Sequence, residues 1–114
     1  MSEAVASSDD QLAVGEVVLH RAALLVAVRG IRFRLAMQEF RLLELLMEHA
    51  DHVLPTAVIL DRVWGPSFRG DPGTVAVHVL RLRKKLEQPD GAGRHLRTVR
   101  GIGYVFDTQP VAAG

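Results

Sequence analysis

The sequence contains no cysteine and no long apolar run, and its first residues do not show the pattern of a signal peptide. Without cysteine it has neither a disulfide framework nor thiolate metal sites, and because this suits the reducing cytosol we expect a cytoplasmic protein. No apolar run is long enough to span a membrane, so we expect no membrane association. Residues 1–10 (MSEAVASSDD) are acidic and lack the basic start and apolar middle of a signal peptide, and we interpret them as a disordered leader or linker.

The sequence also has little net charge, only +1 over 114 residues, but its charges are unevenly distributed. Residues 62–100 hold nine Lys/Arg and three Asp/Glu, a net charge of +6, whereas the rest of the chain carries −5. One end of the molecule is therefore expected to be basic, as in proteins that bind a polyanion such as nucleic acid. An ordinary solvated face also carries such charges, so charge alone leaves both explanations open.

Residue sets that carry enzyme chemistry are missing as well. The sequence shows no paired carboxylates, no nucleophile with an adjacent base and no cluster of metal ligands. His49 and His52 lie three residues apart without a third ligand close by. RGIGY (100–104) lacks the third glycine and the following helix of a dinucleotide-binding motif. We therefore expect no enzymatic activity, no cofactor and no metal.

What the sequence does contain is a clear order of periodic segments. Residues 12–34 predict a small antiparallel sheet, with apolar and partly β-branched strands at VVLHR (17–21) and ALLVAV (23–28). In IRFRL (31–35) apolar residues alternate with arginines, so Ile31 is expected on the buried face of a strand.

Three helices are predicted after this sheet. Apolar residues recur at helical spacing over 38–50, and a second helix is expected near 56–64. GPSFRGDPG (65–73) is so rich in glycine and proline that it predicts a loop. The third helix is expected from about Asp71 to Glu87, with one apolar face formed by Val75, Val79, Leu82 and Leu86.

The remaining chain predicts a hairpin, HLRTV (95–99) and YVFD (104–107) around a turn, followed by a tail at 109–114. Two helices joined by a loop, with a basic second member and a trailing hairpin, are typical of a winged helix-turn-helix. We therefore predict an α+β domain over residues 11–108. It would consist of an N-terminal antiparallel sheet, three helices and a C-terminal β-hairpin wing.

Four consecutive blocks resemble the output domain of OmpR/PhoB-type response regulators. They are EFRLLELLMEH (39–49), DRVWG (61–65), TVAVHVLRLRKKLE (74–87) and LRTVRGIGYVF (96–106). The resemblance covers about residues 12–107, in the order and spacing of the family. It implies a four-stranded N-terminal sheet, three helices and a C-terminal hairpin that pairs with a short strand.

The resemblance also implies sequence-specific binding to double-stranded DNA in bacterial transcription regulation. The third helix would enter the major groove, and the wing, about residues 95–107, would enter the neighbouring minor groove. The loop 65–73 is the expected contact for RNA polymerase, and copies would bind tandem half-sites. The residues that match DNA-contacting positions of the family are Thr74, His78, Arg81 and Arg83 on the third helix, Trp64 and Thr98 at phosphates, and Arg100 in the wing.

The helix period adds further candidates. Opposite the apolar stripe lie Gly73, Val77, Leu80 and Lys84. Because thymine presents a C5-methyl group in the major groove, Val77 and Leu80 are expected to contact thymines. The alternative is that Leu80 packs on the preceding loop. Lys84 and Lys85 belong to the basic side of the helix and are expected at the DNA.

Some positions depart from the family pattern. Gly73, Ala76 and Leu80 stand where the family usually has a basic, an acidic and a polar or basic residue. Lower non-specific affinity is expected, and a winged helix that binds protein remains the alternative. Ala36, Met37 and Pro55 weaken the starts of the first two helices, and Thr56 is expected to cap the second.

Overall fold

The computed structural model describes residues 5–7, 10–66, 71–90 and 92–109. In these ranges a five-stranded sheet precedes three helical segments and a second sheet of three strands. The predicted α+β class, with its N-terminal sheet, three helices and C-terminal hairpin, is confirmed. None of the helices in the described ranges combines the length and hydropathy needed to cross a membrane.

The N-terminal sheet is antiparallel, and its strands follow chain order: β1 (Val5–Ser7), β2 (Gln11–Val14), β3 (Val17–His20), β4 (Leu25–Val28) and β5 (Ile31–Arg34). One face of the central strands lies against the helices. Its residues are at most 1% exposed: Leu12, Val14, Val17, Leu19, Val26 and Val28. Every second side chain of these strands therefore points to the same face, and this face forms one side of the hydrophobic core.

Two features of this sheet differ from the sequence-based expectations. β1 pairs with β2, with Val5 opposite Val14, inside the segment interpreted as a disordered leader. Three residues are too few to show a period, so this fifth strand has no recognisable signal in the sequence. Ile31, expected on the buried face, is 50% exposed, because β5 lies at the edge of the sheet and, within the described ranges, has a neighbouring strand on one side only.

α1 (Met37–Glu48) begins without a side-chain cap, because Ala36 at its N-cap offers no acceptor. Glu39 replaces part of that capping. Its Oε1 accepts a hydrogen bond from the backbone N–H of Ala36 at 3.1 Å, which is one half of a capping box. The weak start that Ala36 predicts is thus partly compensated from within the helix.

The second helix starts from the short strand β6 (Leu54–Pro55) and comprises α2 (Thr56–Ile59) and a π-helical turn, Leu60–Trp64. Pro55 is its N-cap residue, so the expectation that Thr56 would cap the helix was wrong. The backbone N–H of Thr56 instead donates to the carbonyl of Ile102 at 3.2 Å. The C-terminal hairpin therefore supplies an acceptor for a free N–H group of this helix start.

α3 (Pro72–Asp90) carries the predicted apolar stripe. Val75, Val79, Leu82 and Leu86 are at most 1% exposed, and the helix packs against α1, α2 and β4. The helix extends three residues beyond its predicted end at Glu87 and includes Pro89. This is possible because the fixed φ of proline is helical, and near a helix end its missing N–H removes only one hydrogen bond.

A 3₁₀ turn (Ala92–His95) leads into a hairpin of β7 (Leu96–Val99) and β8 (Gly103–Phe106). β6 pairs with the other side of β8, so the second sheet has the order β6-β8-β7. We call residues 99–103, around the turn of this hairpin, the wing tip.

Two glycines shape the wing tip in different ways. Gly101 has φ +80°, a backbone region that side chains with a Cβ rarely adopt. Gly103 is buried, and a Cβ at this position would collide with the carbonyl of Leu54 in β6. Gly103 thus permits close pairing of the protein's own strands.

His95 links the N-terminal sheet to the hairpin. It is 1% exposed and stacks on Phe106, and its Nδ1 donates to the carbonyl of Asp107 at 2.6 Å. Its Nε2 lies 3.4 Å from the carboxylate of Glu16, which also binds Arg29 at 2.6 Å. Burial raises the pKa of Glu16, but the ion pair with Arg29 and the nearby His95 ring together outweigh it, so this pKa lies below its ordinary value of 4.5.

We expect Glu16→Gln to destabilise the protein at pH 7 by up to about 1 kcal/mol, the range of partly exposed ion pairs. A carboxylate whose pKa is lowered by folding contributes stability above its unfolded pKa, and this contribution is lost as the pH falls through the folded value. The difference from wild type should therefore disappear once the pH falls well below 4.5. Urea unfolding at pH 7 and at about pH 3 measures this.

The matched control is Glu87→Gln, which removes an exposed carboxylate on α3 and should leave stability unchanged at both pH values. A Glu16→Gln penalty of equal size at neutral and acidic pH would contradict the ion-pair explanation.

Candidate nucleic-acid interface

The side of α3 opposite its buried stripe is open to solvent. Its exposed residues include Gly73, Ala76, Val77, Leu80, Arg81 and Lys84. Val77 is 45% and Leu80 50% exposed, so neither packs into the core. Of the loop 65–73, residues 67–70 lie outside the described part. We call this side the open face of α3.

Arg81 and Lys84 give the open face its positive charge. Both are exposed, and neither forms a hydrogen bond or ion pair with another residue in the described ranges. Their charged groups are therefore available for an anionic partner, next to the apolar side chains of Val77 and Leu80.

Lys85, the next residue, has a partner inside the protein. Its Nζ donates to Oε1 of Glu39 at 2.6 Å, and the Glu39 side chain is only 4% exposed. The same carboxylate oxygen accepts the N–H of Ala36. A buried carboxylate requires such partners, because leaving it unpaired costs several kcal/mol. Lys85 thus joins α3 to the start of α1, although the sequence placed it with the DNA-binding lysines.

Adjacent lysines allow a matched test of this difference. Lys85→Met should lower the unfolding free energy by about 1–3 kcal/mol, because it leaves Glu39 without its ammonium partner. Lys84→Met, one residue away on the open face, should change stability by less than about 0.5 kcal/mol. Urea unfolding at pH 7 compares the two variants. Equal stability of both would show that the Glu39 contact is unimportant.

Arg83 lies on the flank of α3 that faces the hairpin and is half-buried. Its Nε donates to the carbonyl of Leu96 at 3.2 Å, and its Nη2 donates to the hydroxyl oxygen of Thr98 at 3.0 Å. The structure therefore brings together two predicted site residues, Arg83 and Thr98, from the third helix and the wing.

The opposite flank of α3 carries His78, which packs edge-to-face on Trp64 with ring centroids 4.9 Å apart. Its Nδ1 lies 2.8 Å from the carbonyl oxygen of Thr74. Since a carbonyl only accepts, Nδ1 carries a proton. All three residues are half-buried, so they form a packed corner at the start of the helix beside the open face.

The wing tip presents one positive and one apolar side chain. Arg100 is exposed and has no partner among the described residues, and Ile102 is 57% exposed. Ile102 was not among the predicted site residues, since a lone apolar residue between two glycines has no periodic signal. Glu39 was not predicted either, although Glu at the third position of a helix is a recognisable half of a capping box.

The described ranges contain no group of three or more His, Cys, Asp or Glu residues placed to hold a metal ion. The candidate site therefore consists of the open face of α3 and the wing tip, which both present exposed cations beside exposed apolar side chains.

Comparison with known proteins identifies the fold family. The family model described as "Transcriptional regulatory protein, C terminal" matches residues 30–106. The chain belongs to this family. The predicted membership in the OmpR/PhoB-type output domains is confirmed, and with it a place among the DNA-binding domains of transcription regulators, which are not enzymes.

Individual members of the family agree with this assignment. The sensory transduction protein RegX3 of Mycolicibacterium smegmatis is 41% identical over 101 residues, which are 89% of this chain and 44% of RegX3. The chain thus spans less than half the length of this relative. The RstA DNA-binding domain of Klebsiella pneumoniae, solved with RstA box, superposes with a TM-score of 0.75 at 28% identity and covers 87% of this chain and 98% of that one. The DNA-binding domain of CpxR from E. coli superposes with a TM-score of 0.72 at 29% identity, covering 85% and 95%.

Proposed function

We propose that this family member binds double-stranded DNA sequence-specifically in bacterial transcription regulation, with α3 in the major groove and the wing in the adjacent minor groove. The observation that carries the proposal is the open face of α3, where exposed Arg81 and Lys84 flank exposed Val77 and Leu80. A solved complex of the related RstA domain with RstA box supports it.

The chemistry of the exposed side chains matches the two grooves. The major groove admits a helix, and an arginine such as Arg81 can donate two hydrogen bonds to guanine O6 and N7. Lys84 is suited to a phosphate as a point charge. Arg100, at the end of a narrow hairpin, suits the electronegative minor groove of A·T-rich DNA.

Of the predicted set, direct DNA contacts are proposed for Trp64, Thr74, Val77, His78, Leu80, Arg81, Lys84, Thr98 and Arg100. The other two cations of the set, Arg83 and Lys85, are bound inside the protein, and no direct DNA contact is proposed for them. Contact between RNA polymerase and the loop 65–73, tandem binding on repeated half-sites and a cytoplasmic location belong to the same proposal. The first two rest on the family resemblance, and the location rests on a cysteine-free composition that suits the reducing cytosol.

Binding to a duplex should depend strongly on salt. If roughly four to six phosphates are neutralised, the logarithm of the association constant should fall with the logarithm of salt concentration at a slope of about −4 to −5. Fluorescence anisotropy with a labelled duplex across a salt series measures the slope. Absence of binding at low salt, or a flat response, would refute the proposal.

The apolar part of the open face predicts contacts with thymine methyl groups. Replacing a contacted thymine by deoxyuridine removes one methyl, which should weaken binding about fivefold, the equivalent of about 1 kcal/mol of apolar burial. Single thymines of a selected site are replaced one at a time and affinities compared. Leu80→Ser is the control, because this variant should lose the penalty at the thymine that Leu80 contacts. If no replacement weakens wild-type binding, Leu80 does not read thymine.

A protein-binding winged helix is the second candidate. The exposure of Val77, Leu80 and Ile102 favours it, since apolar side chains that cluster on a surface often mark protein contacts. The uncompensated charges of Arg81, Lys84 and Arg100 oppose it, because they would remain unpaired against an apolar partner. A mobility-shift assay on mixed genomic fragments separates the two functions, since only a DNA-binding domain retards a subset of fragments.

A further inference from the structure

The wing is held from two sides. On one side β6 pairs with β8, and the N–H of Thr56 donates to the carbonyl of Ile102 at 3.2 Å. On the other side β7 is the edge strand of the sheet, so alternate backbone groups have no strand to pair with among the residues that the structure describes. The guanidinium of Arg83 occupies this edge.

The Arg83 contact spans two positions of β7. Nε binds the carbonyl oxygen of Leu96 at 3.2 Å, and Nη2 binds Oγ1 of Thr98 at 3.0 Å. Because the guanidinium is planar and rigid, these two hydrogen bonds fix both the distance and the orientation of the strand relative to α3. Lysine carries its donors on a single nitrogen at the end of a flexible stem, so it cannot fix the orientation of the strand in the same way.

We propose that Arg83 is a positioning residue that fixes the wing against α3, so that both elements reach one duplex in a set register. This inference rests on the proposed function, and it replaces the expectation that Arg83 itself reads DNA. The side chain is half-buried and directed at β7, while Arg81 and Lys84 cover the open face.

The same contact prepares Thr98 for a phosphate. Thr98 Oγ1 accepts a hydrogen bond from the Arg83 guanidinium, and the hydroxyl hydrogen of Thr98 remains available to donate to another acceptor. Hydrogen-bond donors in such chains strengthen one another, so the hydroxyl becomes a better donor to a phosphate oxygen. An ordered wing also avoids the entropic cost of fixing the hairpin during association.

The first test is a double-mutant cycle on DNA. Arg83→Lys keeps the positive charge and removes the pair of guanidinium hydrogen bonds to Leu96 and Thr98. Arg100→Ala removes the cation of the wing tip. We expect Arg100→Ala to weaken DNA binding about tenfold in the wild-type protein but less than about threefold in the Arg83→Lys variant, because a misplaced wing no longer contributes to affinity. Arg83→Lys should weaken binding without changing the selected DNA sequence.

The matched control is Arg81→Lys, the same substitution two residues away on the open face. It should combine additively with Arg100→Ala and change the base preference at one position. Thr98→Val should resemble Arg83→Lys, and Thr98→Ser, which keeps the hydroxyl, should restore binding. Additive behaviour of Arg83→Lys with Arg100→Ala, together with an altered base preference, would show that Arg83 reads a base and would overturn the inference.

A second readout needs no DNA. Amide hydrogen exchange of the free protein follows the N–H of Ile102, which donates to Val99 at 3.0 Å within the wing tip. Arg83→Lys should accelerate this exchange about tenfold or more while leaving the amides of α1 unchanged, because only the wing becomes loose. Unchanged exchange at Ile102 would overturn the inference. If wild type failed to bind DNA and exchange still accelerated, the proposed function would be wrong and the positioning contact would stand.

Discussion

Burial of one stripe of α3 determines which side chains of this helix form its open face. Four aliphatic side chains, Val75, Val79, Leu82 and Leu86, lie almost without exposure against α1, α2 and β4. Each fully buried side chain of this kind contributes about 1.5–3 kcal/mol, whereas an exposed ion pair contributes about 1 kcal/mol or less. The core therefore sets the rotation of the helix about its axis, and surface charges follow. Once the stripe is buried, the open face with Val77, Leu80 and Lys84 must point outward.

Polar contacts then divide the basic residues of α3 into two groups. Lys85 is bound to buried Glu39 and Arg83 to the edge of β7, so both join structural elements. Arg81 and Lys84 have no such partner among the described residues. The net charge of +6 over residues 62–100 consequently overstates the charge that is available to a ligand. The proposed number of phosphate contacts is therefore moderate. Gly73 and Leu80, which stand where the family usually has a basic or polar residue, agree with a reduced positive charge on the open face.

The fold could be predicted where apolar residues recur over a long segment, as in α1 and α3, or where a turn separates two alternating segments, as in the hairpin. It could not be predicted where the segment is short or where its structure depends on residues distant in the chain. Strand β1 has three residues and is defined by pairing with β2. The exposure of Ile31 follows from the position of β5 at the sheet edge. The start of α2 uses the carbonyl of Ile102, which lies 46 residues away in the chain, in place of a local cap.

The sequence by itself determined which residues lie on the open face, because a helix with four apolar residues at helical spacing has only one side to bury. It also determined the family, through four blocks in a fixed order. Tertiary structure alone decided which cations remain unpaired. Lys85 meets Glu39 across 46 positions, and Arg83 meets Leu96 and Thr98 across 13 and 15. Such pairs form only after α1 and the hairpin have packed on α3, and no local period encodes the distances between side chains of different elements.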